Sequence, residues 1–293
     1  MKITLLGTGT SHGVPVIGCR CRVCRSLNKK DKRNRCSAYI QTDDDKYILI
    51  DIGPEFRIQA LKYKVNKVDA VLLTHSHADH FHGIDDLRIF SAEMYKVPEN
   101  AKSLEQYNAP PIPIYTNKET LHDLQSRFAY FFMPVKQGGG VAKVNLQEAA
   151  SQFNIGNTQI LPVPMMHGNL ETVGWLLTKT AADGTKHSFA YLTDCNFISE
   201  ESFNLINENC GTLDQLIIDG LRIKEHSTHF NFLQALEAAQ KLSPKKVWFT
   251  HLTHQSSHRQ VIKYIKQHKQ EFPKLFNCAE SVLPAYDGLV LKI

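Results

Sequence analysis

Long apolar runs are missing from this chain: no stretch of its 293 residues approaches the length of a membrane span. The opening Met1 to Leu6 is too short for the apolar core of a secretion signal and is interrupted by Gly7-Thr8-Gly9-Thr10. Internal repeats, low-complexity tracts and domain linkers are lacking too, so a single domain over 1–293 is expected. Charge of one sign is scarce. The 34 Lys and Arg exceed the 29 Asp and Glu by only five, which suits an anionic substrate but is too little to argue for nucleic acid. The basic residues cluster at Arg20, Arg22, Arg25, Lys29, Lys30, Lys32, Arg33 and Arg35, a run that reads as the solvated face of a loop. An even cysteine set is also absent. Seven cysteines without a secretion signal read as thiols or metal ligands rather than disulfides, in a cytoplasmic protein with no membrane partner. The glycine-rich Gly7-Thr8-Gly9-Thr10-Ser11-His12-Gly13 has no P-loop lysine, and so reads as a tight turn bordering a site.

What the chain does hold is concentrated at Thr74-His75-Ser76-His77-Ala78-Asp79-His80, just after the apolar run Asp69 to Leu73. In extended backbone His75 and His77 project to one side. A bend into the following helix, expected over 78–91, brings Asp79 and His80 round to the same pocket. Imidazoles and a carboxylate at this spacing suit a borderline divalent cation. A second cluster, Cys19-x-Cys21-x-x-Cys24, places three thiols close enough to share one tetrahedral ion, with a fourth ligand needed from elsewhere.

In chain order, strands are expected at Ile3 to Leu6, Ser37 to Thr42, Lys46 to Ile50, Pro113 to Tyr115, Thr158 to Val163, Val173 to Thr178, Ser188 to Thr193, Leu213 to Ile218, Lys246 to Thr250 and Gly288 to Ile293. Helices are expected at 54–63, 118–130, 198–207, from the N-cap Asn231 to Leu242, and at 260–270. Residues 93–113 are polar and proline-punctuated, and with the later aromatic patch and Gln137-Gly138-Gly139-Gly140 they make an excursion at 93–144 bordering the site; core beside a loop is one use of that patch, a lid another. Strands fall into two groups closed by helices, an α+β pattern of sheets packed together with helices outside. His167, Asp194 and His251 each sit just beyond an apolar strand, as do His75, His77 and Asp51. Five histidines and two aspartates are more than one ion needs and about right for two.

The ordered set His75-x-His77-x-Asp79-His80, His167, Asp194 and His251 resembles the metallo-β-lactamase-fold hydrolases along essentially the whole chain. That resemblance implies an αββα four-layer sandwich with a dinuclear site at one edge. His75, His77 and His167 would hold one ion, Asp79, His80 and His251 the other, and Asp194 would bridge. Gly7-x-Gly9, Gly13-Val14-Pro15, Gly18-Cys19-x-Cys21-x-x-Cys24 and Thr250-His251-Leu252-Thr253-His254-Gln255 are similar to the PhnP-type phosphodiesterases. These open the 1,2-cyclic phosphate of a 5-phosphoribosyl compound. By that resemblance Cys19, Cys21, Cys24 and His254 hold a structural zinc, and a homodimer is implied. The excursion at 93–144 is longer than in compact members.

The expected chemistry is phosphodiester hydrolysis by a hydroxide shared between two divalent ions, Zn or Mn, which lower the pKa of bound water. Asp79 would ligate one ion and handle the proton of the nucleophile. His229, matching the subgroup's catalytic histidine, would protonate the leaving alkoxide, with His226 the alternative. Asp51 and Asp219 would orient ligating imidazoles. Competing readings are an RNA-processing phosphodiesterase, a thioester or lactam hydrolase on the same metals, and, from another class, a non-catalytic metal-binding protein.

Overall fold

Alternation of large apolar side chains decides the layering. Within Tyr47–Ile50, Ile48 and Ile50 face one way and Leu49 the other, and all three are fully buried. Strands apolar on both faces must be covered on both. The computed structural model describes residues 1–91, 110–133 and 140–293 and has that arrangement. One sheet holds β1 (Lys2–Gly7), β2 (Ser37–Gln41), β3 (Tyr47–Ile50), β4 (Ala70–Leu72), β5 (Ile112–Thr116) and β6 (Val144–Glu148). The other holds β7 (Phe153–Ile155), β8 (Thr158–His167), β9 (Leu170–Thr180), β10 (Lys186–Leu192), β11 (Thr212–Asp219), β12 (Lys246–Thr250) and β13 (Ser281–Pro284). The last strand, β14 (Val290–Lys292), returns to pair with β1. Strand orders are β14-β1-β2-β3-β4-β5-β6 and β13-β12-β11-β10-β9-β8-β7.

Between the sheets lie Ile3, Ile40, Ile48, Ile50 and Leu72 from one side, with Trp175, Leu177, Phe189, Tyr191 and Ile217 from the other. The outer face of the first sheet is covered by α1 (Phe56–Tyr63), α2 (Ala78–Phe81), α3 (Arg88–Ser91) and α4 (Lys118–Arg127), through Phe56, Phe81, Phe90 and Leu124. The second sheet is covered by α5 (Glu200–Asn209), α6 (Phe232–Leu242), α7 (His258–Gln267) and α8 (Pro273–Cys278). This is the four-layer αββα sandwich expected from the sequence. Each sheet is antiparallel over half its width and parallel over the rest: β3, β4, β5 and β6 run parallel, as do β10, β11, β12 and β13. The carboxyl ends of parallel strands open onto one crevice, and that edge carries the strand-end acids and histidines.

Several local expectations need correction. The helix over 78–91 is broken into α2, a 3-10 turn at Ile84–Leu87 and α3. The cause is a close backbone crossing. A Cβ on Gly83 would lie 2.1 Å from the Gly53 carbonyl oxygen, and one on Gly53 2.2 Å from that of Asp79. Gly83 N–H instead donates to Ile52 O at 2.8 Å. The strand expected over 158–163 runs on to His167 and pairs with β9, while β6, β7, β13 and α8 were not expected. The helix over 118–130 ends at Arg127, followed by a 3-10 turn. Arg33, expected on a solvated face, is 1% exposed and donates to the Thr253 and Ser256 carbonyls. In the aromatic patch Phe131 is buried core, whereas Tyr130 and Phe132 are exposed. Residues 93–109 of the excursion and Gln137 to Gly139, parts read as a site border or lid, lie outside the described residues. Among the described residues, no helix is long and apolar enough to cross a membrane.

Candidate metal centre

Strand β4 runs out at Leu72, and the segment beyond it turns under the edge of both sheets. Thr74 is the pivot. Its carbonyl accepts from Val173 N–H of β9 at 2.9 Å, while its own N–H and hydroxyl donate to Asp51 at the end of β3. That fixes where His75 and His77 leave the sheet, and α2 then carries Asp79 and His80 back toward them. The hairpin of β8 and β9 supplies His167, β10 delivers Asp194, and β12 delivers His251. The residues expected at the site are thus brought together. Ligand-type atoms of His75, His77 and His167 lie within 4.8 Å of one another, as do those of Asp79, His80 and His251. Asp194 stands between the two groups: its carboxylate is 4.0 Å from His75 Nε2, 3.3 Å from His80 Nε2 and 3.2 Å from His251 Nε2.

Three of these strand ends are held in unusual backbone. Asp51, Asp194 and His251 have φ of 56°, 56° and 58°, the left-handed region, which costs an ordinary L-residue about 1–2 kcal/mol. Asp and His are among the types that tolerate it. The kink turns each side chain sharply out of its strand and into the crevice.

The imidazoles are oriented from behind. Asp51 Oδ2 pairs with His80 Nδ1 at 2.7 Å, Thr74 Oγ1 with His75 Nδ1 at 2.9 Å, and Thr228 O with His167 Nδ1 at 2.6 Å. Each contact leaves Nε2 facing the cluster. His251 differs, since neither ring nitrogen has a hydrogen-bond partner among the described residues; its ring stacks on His229 at 4.6 Å and 17°. Asp219 Oδ2 receives His229 Nδ1–H at 2.7 Å and the Cys195 N–H at 3.0 Å. His229 also lies in a ligand-distance group with His167 and Asp194. His226 is half-buried, 5.2 Å from His229 ring to ring, with its Nδ1 accepting from Thr228 N–H and hydroxyl.

Electrostatics separate the groups by type. Burial alone would lower the His80 imidazole, but the carboxylates of Asp194, Asp79 and Asp51 raise it well above its ordinary value. Burial likewise works against ionising Asp194 and Asp79, yet neighbouring imidazoles hold both far below the carboxylate range. His75 is lowered well below the usual value, by burial first and then by His80. His77 and His167 are lowered too, again chiefly by burial. His75, His80 and His251 each keep a buried Nε2 with no hydrogen-bond partner among the described residues. Buried polar atoms normally find partners. Nitrogen lone pairs and ionised carboxylates aimed at a common point are the donor set of borderline divalent cations, and the residues present fit that group.

The thiol cluster also closes. Cys19, Cys21 and Cys24 Sγ lie 3.3, 3.5 and 3.4 Å from His254 Nδ1. A tetrahedral zinc with ordinary Zn–S and Zn–N bonds spans edges of about 3.5 Å. The Cys24 N–H donated to Cys21 pulls that thiol down to about 6, while burial pushes Cys24 up to about 11. Sequence reasoning missed the pair that ties this knuckle to the β12 turn. Asp31 accepts from Ser26 Oγ, His258 N–H and Arg33 Nη2, and Arg33 bonds the Thr253 and Ser256 carbonyls. It also missed Thr74, Thr228 and α4. A polar residue next to a ligand is a weak signal, and for α4 the sequence offers only an i,i+4 ion pair.

Comparison with known proteins agrees with this fold. Residues 46–252 match the family described as the Beta-lactamase superfamily domain. A solved structure described as a new diphosphatase from the PhnP family superposes with a TM-score of 0.77 at 33% identity, covering 100% of this chain and 97% of that one. Zn²⁺-bound PqqB from Methylobacterium extorquens gives a TM-score of 0.70 at 17% identity, covering both chains fully, and so speaks for the fold alone. An octanoyltransferase of Porphyromonas gingivalis is 33% identical over 271 residues, 92% of this chain. The chain spans 49% of that relative's length.

Proposed function

Because the chain belongs to the beta-lactamase superfamily, we propose that it is a metal-dependent phosphodiesterase acting on a small cyclic phosphodiester of the 5-phosphoribosyl 1,2-cyclic phosphate type. The observation that carries this reading is the convergence of His75, His77, Asp79, His80, His167 and His251 on Asp194, with buried imidazole nitrogens left without hydrogen-bond partners among the described residues. His75, His77 and His167 would hold one divalent cation, Asp79, His80 and His251 a second, and Asp194 both; Zn or Mn suits these donors. Cys19, Cys21, Cys24 and His254 would hold a structural zinc. When bound, the two cations supply Lewis acidity and water acidic enough to ionise near neutral pH.

The chain's own residues do the rest. Asp79, held ionised beside His80 and His251 at 3.2 and 3.8 Å, accepts a hydrogen bond from the attacking water and orients it. His229 is tethered to Asp219 through Nδ1, so Nε2 is the position from which it gives a proton to the leaving alkoxide. Asp219 raises the His229 imidazole against the lowering effect of burial, which keeps that proton available near neutrality. Asp51 and Thr228 fix the rings of His80 and His167.

A second reading, cleavage of a diphosphate, comes from the description of the similar PhnP-family protein. The two differ in leaving group. An alkoxide needs protonation far more than a phosphate does, so loss of His229 should hurt a cyclic ester more than a diphosphate. The deciding experiment assays wild type and His77→Ala, with metal analysis, on cyclic phosphodiester, diphosphate, thioester and lactam substrates. Cyclic phosphodiester turnover that disappears with His77 is expected. A wild type that holds two ions at the histidine cluster yet turns over no phosphodiester would overturn the proposal.

A further inference from the structure

Helix α4 supplies no ligand-type residue to the cluster, yet both of its ends are fastened to segments that do. At its start, Asn117 caps the helix through Thr120 N–H at 2.9 Å and donates its amide to Glu171 O of β9 at 3.1 Å. Glu171 pairs with Met166, the neighbour of His167. At its other end, Arg127 Nη1 donates to the Ser76 carbonyl at 2.7 Å, and Ser76 Oγ donates to Asp123 Oδ2 at 2.5 Å. Arg127 Nη2 reaches the same carboxylate at 3.1 Å, and its guanidinium lies 5.2 Å from the ring centroid of the buried Phe81. Ser76 is the residue between His75 and His77. Its carbonyl and its hydroxyl are both taken by α4, in a stretch that has left the sheet and has no ladder to hold it.

We propose that Arg127 and Asp123 are positioning residues, through which α4 acts as a strut fixing His75 and His77 against His167. This rests on the ligand reading above. An i,i+4 Asp–Arg pair on a helix is ordinarily worth a few tenths of a kcal/mol. Here the pair is partly exposed, but its partner is the peptide joining two ligands. The strut's hydrogen bonds end on the segments that carry His75, His77 and His167, whereas toward α2, which carries Asp79 and His80, its contact is with the apolar Phe81 ring. Its effect therefore falls on one of the two cations.

The test uses the 293-residue chain retaining its thiolate-site zinc, titrated with Mn²⁺ by equilibrium dialysis. Wild type, Arg127→Ala, Arg127→Lys, Asp123→Asn and His77→Ala are compared. The strut predicts that Arg127→Ala and Asp123→Asn weaken one of two binding steps by about tenfold, the size typical of groups that orient ligands. The other step should stay within about twofold. Arg127→Lys should resemble Arg127→Ala, because an ammonium cannot span both the Ser76 carbonyl and Asp123. At saturating Mn²⁺, kcat and KM should return close to wild type. Unchanged binding steps in both Arg127→Ala and Asp123→Asn would overturn the strut, as would a raised KM with unchanged metal binding, which would make Arg127 a substrate contact. If wild type and His77→Ala titrate alike, the ligand reading itself fails, a result separate from failure of the strut.

Discussion

Asp51→Asn is the most informative single substitution, because it changes one atom and leaves shape and backbone alone. Asparagine tolerates the left-handed φ of 56° found at this position. The carboxylate is completely buried, and both oxygens accept: Oδ1 from Thr74 N–H at 2.9 Å, Oδ2 from His80 Nδ1–H at 2.7 Å. An amide has one acceptor, so whichever way it flips, an NH₂ faces an N–H. Leaving one buried donor unpaired costs about 1–3 kcal/mol, and the loss of a charged acceptor places this case near the top, at about 3 kcal/mol. Over 293 residues, an unfolding entropy of about 2.1 cal/mol/K per residue converts that into a Tm drop of roughly 5 °C. Because the donors belong to the chain itself, this drop should appear in metal-free protein. With metal it should grow, since affinity should fall 10- to 100-fold once His80 is no longer held, a further 1.4–2.8 kcal/mol or so at saturation. Differential scanning calorimetry of both forms, with a chelator-competition titration, measures the two parts. A metal-free Asp51→Asn protein melting within about 1 °C of wild type would refute the reasoning.

His229→Gln should lower kcat on a cyclic phosphodiester by about 10² to 10⁴ with metal content unchanged; loss of an ion, measured by elemental analysis, would make His229 a ligand instead. Cys21→Ala should lose one zinc equivalent and melt at lower temperature while the other ions remain, and unchanged zinc would reduce the knuckle to packed thiols. Asp287 is pushed up to about 7, chiefly by burial, although Asn34 N–H and Thr8 Oγ donate to it. Its folded pKa lies above the unfolded value near 3.9, so stability is full below about pH 4 and falls as pH rises through 7. Between pH 5 and pH 8 that loss is about 2 to 3 kcal/mol. Asp287→Asn should be spared it, so urea denaturation curves should diverge in the variant's favour as pH rises, and parallel curves would count against a strained carboxyl.

The strand-end site was legible because its chemistry sits at a boundary that sequence marks well. Apolar runs ending in His75, His167, Asp194 and His251 announce both the strand and the place where it stops. Packed sheets with helices outside were legible from strands falling into two groups closed by helices, and the four-layer order followed from the family resemblance. Short elements were not. β7 has three residues and β13 ends in Pro284, too little for a period to show. The broken helix after Asp79 turns on Gly53 meeting Gly83, a contact between segments thirty residues apart that no local pattern contains. Arg33 was misplaced because a lone arginine in a basic run looks solvated until its partners, the Thr253 and Ser256 carbonyls, are known. Asp123 and Arg127 look like any surface pair, since what distinguishes them is the Ser76 peptide beneath.

The left-handed strand ends also limit how this site can change. At Asp51, Asp194 and His251 the backbone admits glycine, asparagine, aspartate and histidine with little penalty, and excludes β-branched residues. His77, at φ −70°, is under no such restriction. Attempts to retune the metal preference therefore have an uneven alphabet. Glutamate or cysteine can be tried at His77 on the merits of its chemistry, whereas at the three kinked positions the main chain selects before the metal does. Random drift should follow the same rule, with Asp194 decaying first to asparagine or glycine and seldom to valine or threonine.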